Sequence, residues 1–238
     1  MIENMEEFLE EIRESYESGD DRTEEWFSFV EESLEESVPA LLDKGRTDEA
    51  FDLVCYGWTA LDTDHMDWWD DDGVFLPSYV WWKRVIDRVP VTDLKMRDGM
   101  FRWFIDELDG MSLPEYAHAS VTATVFQCFP EERFLLELIK RTDNRMRTTQ
   151  MEDIRDHSAG VLCDLYDRLG GHEAEIADLT AKYGKETGFL IARCDLWRMR
   201  GDDRCLPVLE ELRDNESFAT AFRKSRAEEI ESFLRNHA

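Results

Sequence analysis

Residues 163–170 read CDLYDRLG, and residues 194–201 read CDLWRMRG, 31 positions further along the chain. In both copies an aromatic residue stands four positions before a glycine, which is Gly170 in the first copy and Gly201 in the second. Internal repeats of this length are typical of helical units that stack in sequence, because one hairpin cannot bury its apolar face alone. The repeat therefore predicts two successive helical hairpins in the C-terminal third of the chain.

The positions that the two copies share are those that a stacked helical hairpin needs. They are Cys163, Leu165, Tyr166 and Gly170 in the first copy and Cys194, Leu196, Trp197 and Gly201 in the second. A small residue lets helices approach closely, an aromatic ring fills the space between layers, and glycine adopts a left-handed turn without a steric penalty. This pattern resembles the tetratricopeptide-type helical repeat, whose unit joins an aromatic-bearing helix to a second helix through a glycine turn.

The resemblance covers residues 150–215 and, more weakly, residues 23–61. It departs from the repeat pattern at Arg193, where a leucine is usual, and at Leu206, where a small residue is usual. What the resemblance implies is an architecture and no particular family. That architecture is an all-α fold of stacked antiparallel helical hairpins, known as an α-solenoid.

The rest of the chain also has the periodicity of helices, and about eleven helices are predicted in total. The first stripe places apolar residues at spacings of three and four, at Ile2, Met5, Leu9, Ile12 and Tyr16. Six prolines, twelve glycines and the lack of alternating β-branched runs argue against a sheet. We expect one helical domain over residues 1–238, with an irregular part over residues 1–145 and the repeat part over residues 146–238.

Helix boundaries follow from the positions of proline and of capping residues. Pro39 is expected to interrupt the second helix, because proline lacks the N–H group that an inner helical turn requires. A short helix is expected over residues 131–141. Thr92 is expected to cap one helix, and Thr149, with Glu152 three residues later, is expected to open another through a capping box.

The charge balance is the strongest feature of the composition. The chain has 55 acidic and 28 basic residues, which gives a formal net charge of -27. Such a chain is repelled by phosphate backbones and anionic lipids, so neither nucleic acid nor a membrane is expected as a direct partner. The acids either solvate the surface or imitate an anionic ligand that fits a basic groove on a partner. Because they are dispersed along the chain, solvation is the favoured interpretation.

The N-terminus and the cysteines indicate the cellular location and the redox state of the chain. Residues 1–14, MIENMEEFLEEIRE, carry glutamates where a secretory signal needs basic residues and an apolar core, and no apolar run reaches the length of a membrane span. A cytoplasmic location is therefore expected.

The five cysteines are widely spaced and form no C-x-x-C pair, so they are interpreted as small buried hydrophobic residues rather than as disulfide or zinc partners.

An aspartate-rich segment over residues 62–73, DTDHMDWWDDDG, invites a test for calcium binding. If Gly73 takes the sixth position of an EF-hand loop, Trp68 falls at the first position and Tyr79 at the twelfth, so the template fails. A looser cation site is the alternative to a solvated loop. It would use Asp70, Asp71 and Asp72, or Asp62, Asp64 and His65.

The same segment holds two adjacent tryptophans. Trp68 and Trp69 cannot both face one core from one helix, and their neighbours are hydrophilic. Exposed tryptophans are frequent anchors at protein interfaces. Trp68 and Trp69, with Asp70, Asp71 and Asp72, are therefore candidate partner-binding residues.

No nucleophile, phosphate-binding or zinc-protease motif occurs in the sequence, so neither catalysis nor a cofactor is expected. The favoured function is a non-enzymatic interaction module that holds a protein or peptide on a concave face. An acidic inhibitor of a basic partner is one alternative, and a metal-dependent hydrolase built on the aspartate-rich segment is another. The partner's identity and the oligomeric state are open at this stage.

Overall fold

The computed structural model of the chain describes residues 2–17, 22–60, 75–110 and 115–214. These residues form eleven helices and no strand, which confirms the predicted all-α class. The helices are α1 (Ile2–Glu17), α2 (Thr23–Asp43), α3 (Thr47–Thr59), α4 (Phe75–Ile86), α5 (Leu94–Gly110), α6 (Glu115–Cys128), α7 (Glu132–Thr148), α8 (Glu152–Leu169), α9 (Glu173–Tyr183), α10 (Thr187–Met199) and α11 (Cys205–Asp214).

The chain divides into two compact units, unit 1 over Met1–Cys128 and unit 2 over Phe129–Ala238. Unit 1 contains α1 to α6, and unit 2 contains α7 to α11. The subdivision expected from the sequence, between residues 145 and 146, falls inside α7. A single domain over residues 1–238 stays a prediction.

Unit 1 is built around an aromatic core. The apolar stripe of α1 is buried at Met5, Leu9 and Ile12, as its spacing predicted. Further along, α3 packs against α2 and α4, and both α4 and α5 pack against α6. Phe104 of α5 meets Phe51 and Trp82 edge-on, with ring centroids 5.6 and 5.5 Å apart. This edge-to-face arrangement is favoured because the positive edge of one ring meets the negative face of another.

The expectation that Pro39 interrupts the second helix is wrong. α2 continues through Pro39 to Asp43, although proline removes one hydrogen bond from the helix. Val38 and Leu41 lie on either side of the proline, and both are buried. Burial of these two side chains offsets the lost hydrogen bond, since each contributes on the order of 1.5–3 kcal/mol when removed from water.

Three boundaries of later helices also differ from the sequence prediction. α7 extends to Thr148 rather than ending near residue 141, because Thr142 is buried and Met146 packs against the core of unit 2. Thr149 does not cap α8, since its hydroxyl accepts a hydrogen bond from the N–H of Met151, outside the helix, at 3.2 Å. Asp93 rather than Thr92 caps α5, because Oδ1 of Asp93 accepts a hydrogen bond from the N–H of Met96 at 3.1 Å.

Unit 2 is organised around α8. This helix packs against α7, α9 and α10, and α10 also packs against α11. Gly160 of α8 and Gly188 of α10 form the crossing between their helices. A Cβ atom on Gly160 would lie 2.5 Å from the carbonyl oxygen of Phe189, and one on Gly188 would lie 3.2 Å from the carbonyl oxygen of Asp153. The backbones of the two helices therefore approach at a distance that only glycine permits at position 160.

Candidate functional site

The candidate site residues of the aspartate-rich segment lie outside the described residues. They are Asp62, Asp64, His65, Trp68, Trp69, Asp70, Asp71 and Asp72. Partner binding and cation binding by this segment therefore stay predictions. Within the described ranges, no group of three or more histidine, cysteine, aspartate or glutamate side chains is placed to hold a metal ion.

The two copies of the sequence repeat occupy corresponding places in unit 2. The first copy ends α8 and the second ends α10, and each is followed by a turn and another helix. Gly170 has a φ of 77° and Gly201 a φ of 66°, in the region that favours glycine. Both turns therefore use glycine for the reason that the sequence pattern indicated.

The repeated cysteines make similar contacts. The thiol of Cys163 donates to the carbonyl oxygen of Ile176 in α9 at 3.9 Å, and the thiol of Cys194 donates to the carbonyl oxygen of Cys205 in α11 at 3.7 Å. All five cysteines of the chain are free and buried. Burial raises the pKa of Cys55 and Cys163, so these groups stay protonated thiols at neutral pH.

The aspartates of the two copies differ sharply in environment. Asp164 has no exposed surface and receives two hydrogen bonds from the guanidinium of Arg200, one of them at 3.0 Å. Asp195, its counterpart, is half-buried and lies 3.9 Å from Arg198 within its own helix. The aspartate of the first copy thus joins α8 to the residue that ends α10.

The aromatic residues of the repeat also have different neighbours. The ring of Tyr166 lies 4.9 Å from the imidazole of His172. Trp197 lies against the guanidinium groups of Arg193 and Arg204, at 4.4 and 5.0 Å from its ring centroid. These cations are attracted to the negative face of the indole ring. The indole of Trp197 is thus flanked by two basic side chains.

An open groove lies where the start of α7 meets the end of α8. Its cavity volume is about 360 Å³, and its lining includes Glu132, Leu136, Arg168, Leu169, Gly170 and His172. We call it the α7–α8 groove. Leu135 beneath it is 2% exposed, whereas Leu136 is 48% exposed at its edge. The lining combines leucine side chains with an acidic, a basic and an imidazole side chain.

The polar edge of the groove is partly ordered by the first turn of α9. Nδ1 of His172 lies 3.3 Å from Oε1 of Glu175. A hydrogen bond from its own backbone N–H, and then the contact with His172, lower the pKa of the Glu175 carboxyl. Glu175 is therefore ionised at neutral pH and holds the imidazole at the edge of the groove. Sequence reasoning did not find this groove, because no periodicity shows that an outward leucine lies beside the end of another helix.

The net charge is shared unevenly between the units. Unit 1 contains 32 acidic and 10 basic residues, and unit 2 contains 23 acidic and 18 basic residues. Within unit 1, α1 and α2 together carry 14 acidic residues against the single basic residue Arg13. Every acidic side chain that is described in these two helices is exposed. The net negative charge is therefore concentrated in unit 1, where basic residues are few.

None of the helices in the described ranges combines the length and the apolar character that crossing a bilayer requires. The fold places the chain among all-α proteins built from packed helical hairpins. Comparison with protein-family models, with curated proteins and with solved structures finds no match for this chain.

Proposed function

We propose that the protein is a non-enzymatic interaction module that holds a segment of a partner protein in the α7–α8 groove. The observation that carries the proposal is the exposed Leu136 beside a preformed cavity of about 360 Å³. This volume lies at the low end of the range of ~300–1,000 Å³ for small-molecule sites. It suits one large side chain of a bound peptide better than an extended cofactor.

The charges around the groove support recognition of a peptide. An apolar anchor of the partner would pack on Leu136 and Leu169, while polar groups on either side would meet Glu132 and Arg168. A buried apolar contact surrounded by a polar rim is the usual arrangement of a protein interface.

The internal repeat gives independent support for the same proposal. Helical-hairpin repeats of the tetratricopeptide type present extended surfaces for other proteins, because each hairpin adds to one continuous face. The glycine turns and the matching thiol contacts of the two copies favour this interpretation. A cytoplasmic location remains the expectation from the sequence.

Site-specific photo-crosslinking tests the proposal. A benzophenone amino acid replaces Leu136 in the full chain, and a matched variant carries the same group at Met151, which is 56% exposed and does not line the groove. After irradiation in host lysate, position 136 is expected to yield discrete crosslinked proteins that position 151 does not yield. Leu136→Asp should reduce recovery of the same proteins at least tenfold in affinity purification. Equal crosslinking at both positions would exclude the groove as the docking site.

An acidic regulator of a basic partner is the second candidate, favoured by the exposed acids of α1 and α2. The test measures fluorescence anisotropy of a labelled lysine-rich peptide with the full chain at low and moderate salt. Replacement of Glu31 and Glu35 by Gln should weaken binding severalfold, whereas the same change at Glu132 should not.

A metal-dependent hydrolase on the aspartate-rich segment is the third candidate, and calorimetry with calcium, magnesium and manganese tests it.

A further inference from the structure

Two of the five cysteines are neighbours where α10 packs against α11. Cys194 in α10 is 1% exposed, and Cys205 at the start of α11 is 0% exposed. The thiol of Cys194 lies 3.7 Å from the carbonyl oxygen of Cys205, eleven positions along the chain. Both residues belong to one buried cluster with Trp197. The contact between the two helices therefore holds two neighbouring thiols that no covalent bond joins.

The remaining cysteines have other neighbours. Cys163 belongs to a separate buried cluster, and its thiol donates to a carbonyl oxygen of α9 rather than of α11. Cys55 and Cys128 belong to unit 1. Cys194 and Cys205 are therefore the pair of thiols that unit 2 brings together.

The packing of two helices suits the geometry of a disulfide at their contact. A disulfide joins residues whose Cα atoms lie about 4.4–6.8 Å apart. The axes of packed helices are about 8–10 Å apart, and each Cα atom lies about 2.3 Å from its own axis. Residues that face each other across such a contact therefore come within the range that the bond requires. Cys194 and Cys205 both lie in the contact between α10 and α11.

Burial protects both thiols from oxidants while α11 is packed. Burial also raises the pKa of the Cys205 thiol, and the thiolate is the form that reacts. However, α11 has only ten residues, and its apolar side chains Leu206 and Val208 are only partly buried. A helix of this length is marginal without its packing, so opening of α11 should cost less free energy than unfolding of unit 2. Opening exposes the two thiols, and closing brings them together again.

We propose that Cys194 and Cys205 form a reversible disulfide that locks α11 onto α10 when the chain meets a small-molecule disulfide as oxidant. In the open state one cysteine thiolate attacks a sulfur of the oxidant, which forms a mixed disulfide and releases one thiol. The second cysteine thiolate then attacks the cysteine sulfur of the mixed disulfide and releases the other thiol. The two protons and two electrons that the cysteines lose end on the two released thiols. This lock does not depend on docking in the α7–α8 groove.

Oxidised glutathione tests the proposal on the full chain. The reduced protein is incubated with it in native buffer and in urea well below the unfolding midpoint, and the disulfides are mapped by mass spectrometry of proteolytic peptides. The wild type is expected to acquire an internal disulfide between Cys194 and Cys205, which dithiothreitol reverses. Its urea midpoint should rise by about 1 M on oxidation, because the bond restricts the unfolded chain.

Single replacements show whether the two thiols act as a pair. Cys194→Ser lacks the second thiol, so a mixed disulfide of Cys205 with glutathione should persist in this variant. Cys163→Ser is the matched control, because it removes a buried thiol of the same unit and leaves the pair intact. This control should form the internal disulfide as the wild type does. Circular dichroism and urea unfolding establish that each variant is folded.

Several outcomes would overturn the proposal, and the wild type alone can give each of them. They are the absence of oxidation at Cys194 and Cys205 in both conditions, a disulfide of either residue with another cysteine, and glutathione adducts that persist without an internal bond. A urea midpoint that falls on oxidation would show that the bond distorts the contact between α10 and α11. That result would overturn the lock even if the disulfide forms.

Discussion

The two units of the chain differ in net charge and in the ion pairs that the structure describes. In unit 1, which carries 32 acidic against 10 basic residues, the pairs of Arg13 with Glu10 and of Lys83 with Asp87 join positions three or four apart. In unit 2 the pair of Asp164 with Arg200 spans 36 positions and joins α8 to the end of α10. Local exposed pairs contribute at most about 1 kcal/mol, whereas a buried pair is costly to break.

Electrostatics contributes to tertiary structure differently in the two units. In unit 1 the apolar and aromatic core must hold α1 and α2 together against the mutual repulsion of their exposed acids. In unit 2, ion pairs take part in the packing itself, because Arg204 also reaches Asp167 of α8 at 2.8 Å. Loss of an ion pair should therefore damage unit 2, and screening of charge should favour unit 1.

The largest expected effect comes from removing one partner of the buried ion pair. Arg200→Ala leaves the Asp164 carboxylate, which has no exposed surface, without its cation. The free energy of unfolding should fall by about 3 kcal/mol or more, as measured by urea denaturation. Arg147→Ala is the matched control in unit 2, because the pair of Arg147 with Asp143 lies within α7 and the Arg147 side chain is largely exposed. Equal losses in both variants would remove the distinction between a buried and an exposed ion pair.

The crossing of α8 and α10 should be the next most sensitive feature. Gly160→Ala places a Cβ atom 2.5 Å from the carbonyl oxygen of Phe189, so the helices must separate. We expect a loss of about 1–3 kcal/mol in urea denaturation. Gly99→Ala is the control within α5, where a Cβ atom meets nothing within 4 Å. That change should stabilise the chain by about 0.5–1 kcal/mol, since alanine favours a helix more than glycine does.

A pH effect is expected from a tyrosine of unit 1. Burial raises the pKa of Tyr79 to about 12, with smaller contributions from Cys128 and Asp87. In the unfolded chain the phenol ionises near pH ~10, so between about pH 10 and 12 the unfolded state holds fewer protons than the folded state. The free energy of unfolding should therefore fall as the pH rises through this window. Urea midpoints of wild type and Tyr79→Phe measure the effect, and identical pH profiles would contradict it.

The smallest expected effect is the response to salt. Screening by 1 M sodium chloride should relieve repulsion among the acids of α1 and α2, with a gain of about 0.5 kcal/mol. Amide hydrogen exchange measures the change in stability at single residues. The amides to compare are those of Val30 and Leu34 in α2 and of Leu162 and Leu165 in α8. Protection should rise more in α2 than in α8. A larger gain in α8 would mean that repulsion is not concentrated in the N-terminal hairpin.

Much of the fold could be predicted because it depends on local patterns. The spacing of Met5, Leu9 and Ile12 predicted a buried face, and the two glycines of the repeat predicted turns that the structure has. The candidate site was predicted far less well. Residues 62–73 lie outside the residues that the structure describes, and the α7–α8 groove involves helix ends that are distant in sequence.

The sequence by itself determined the all-α class, the helical stripes, the glycine turns and the burial of the cysteines, because each depends on one residue or on neighbours within two turns of a helix. Only the tertiary structure decided that α2 continues through Pro39, that Gly160 must stay small, and that Asp164 is buried while Asp195 is not. These outcomes depend on which residue of another helix lies opposite. A local pattern contains no information about that neighbour, and the free energy of packing against it outweighs local preference.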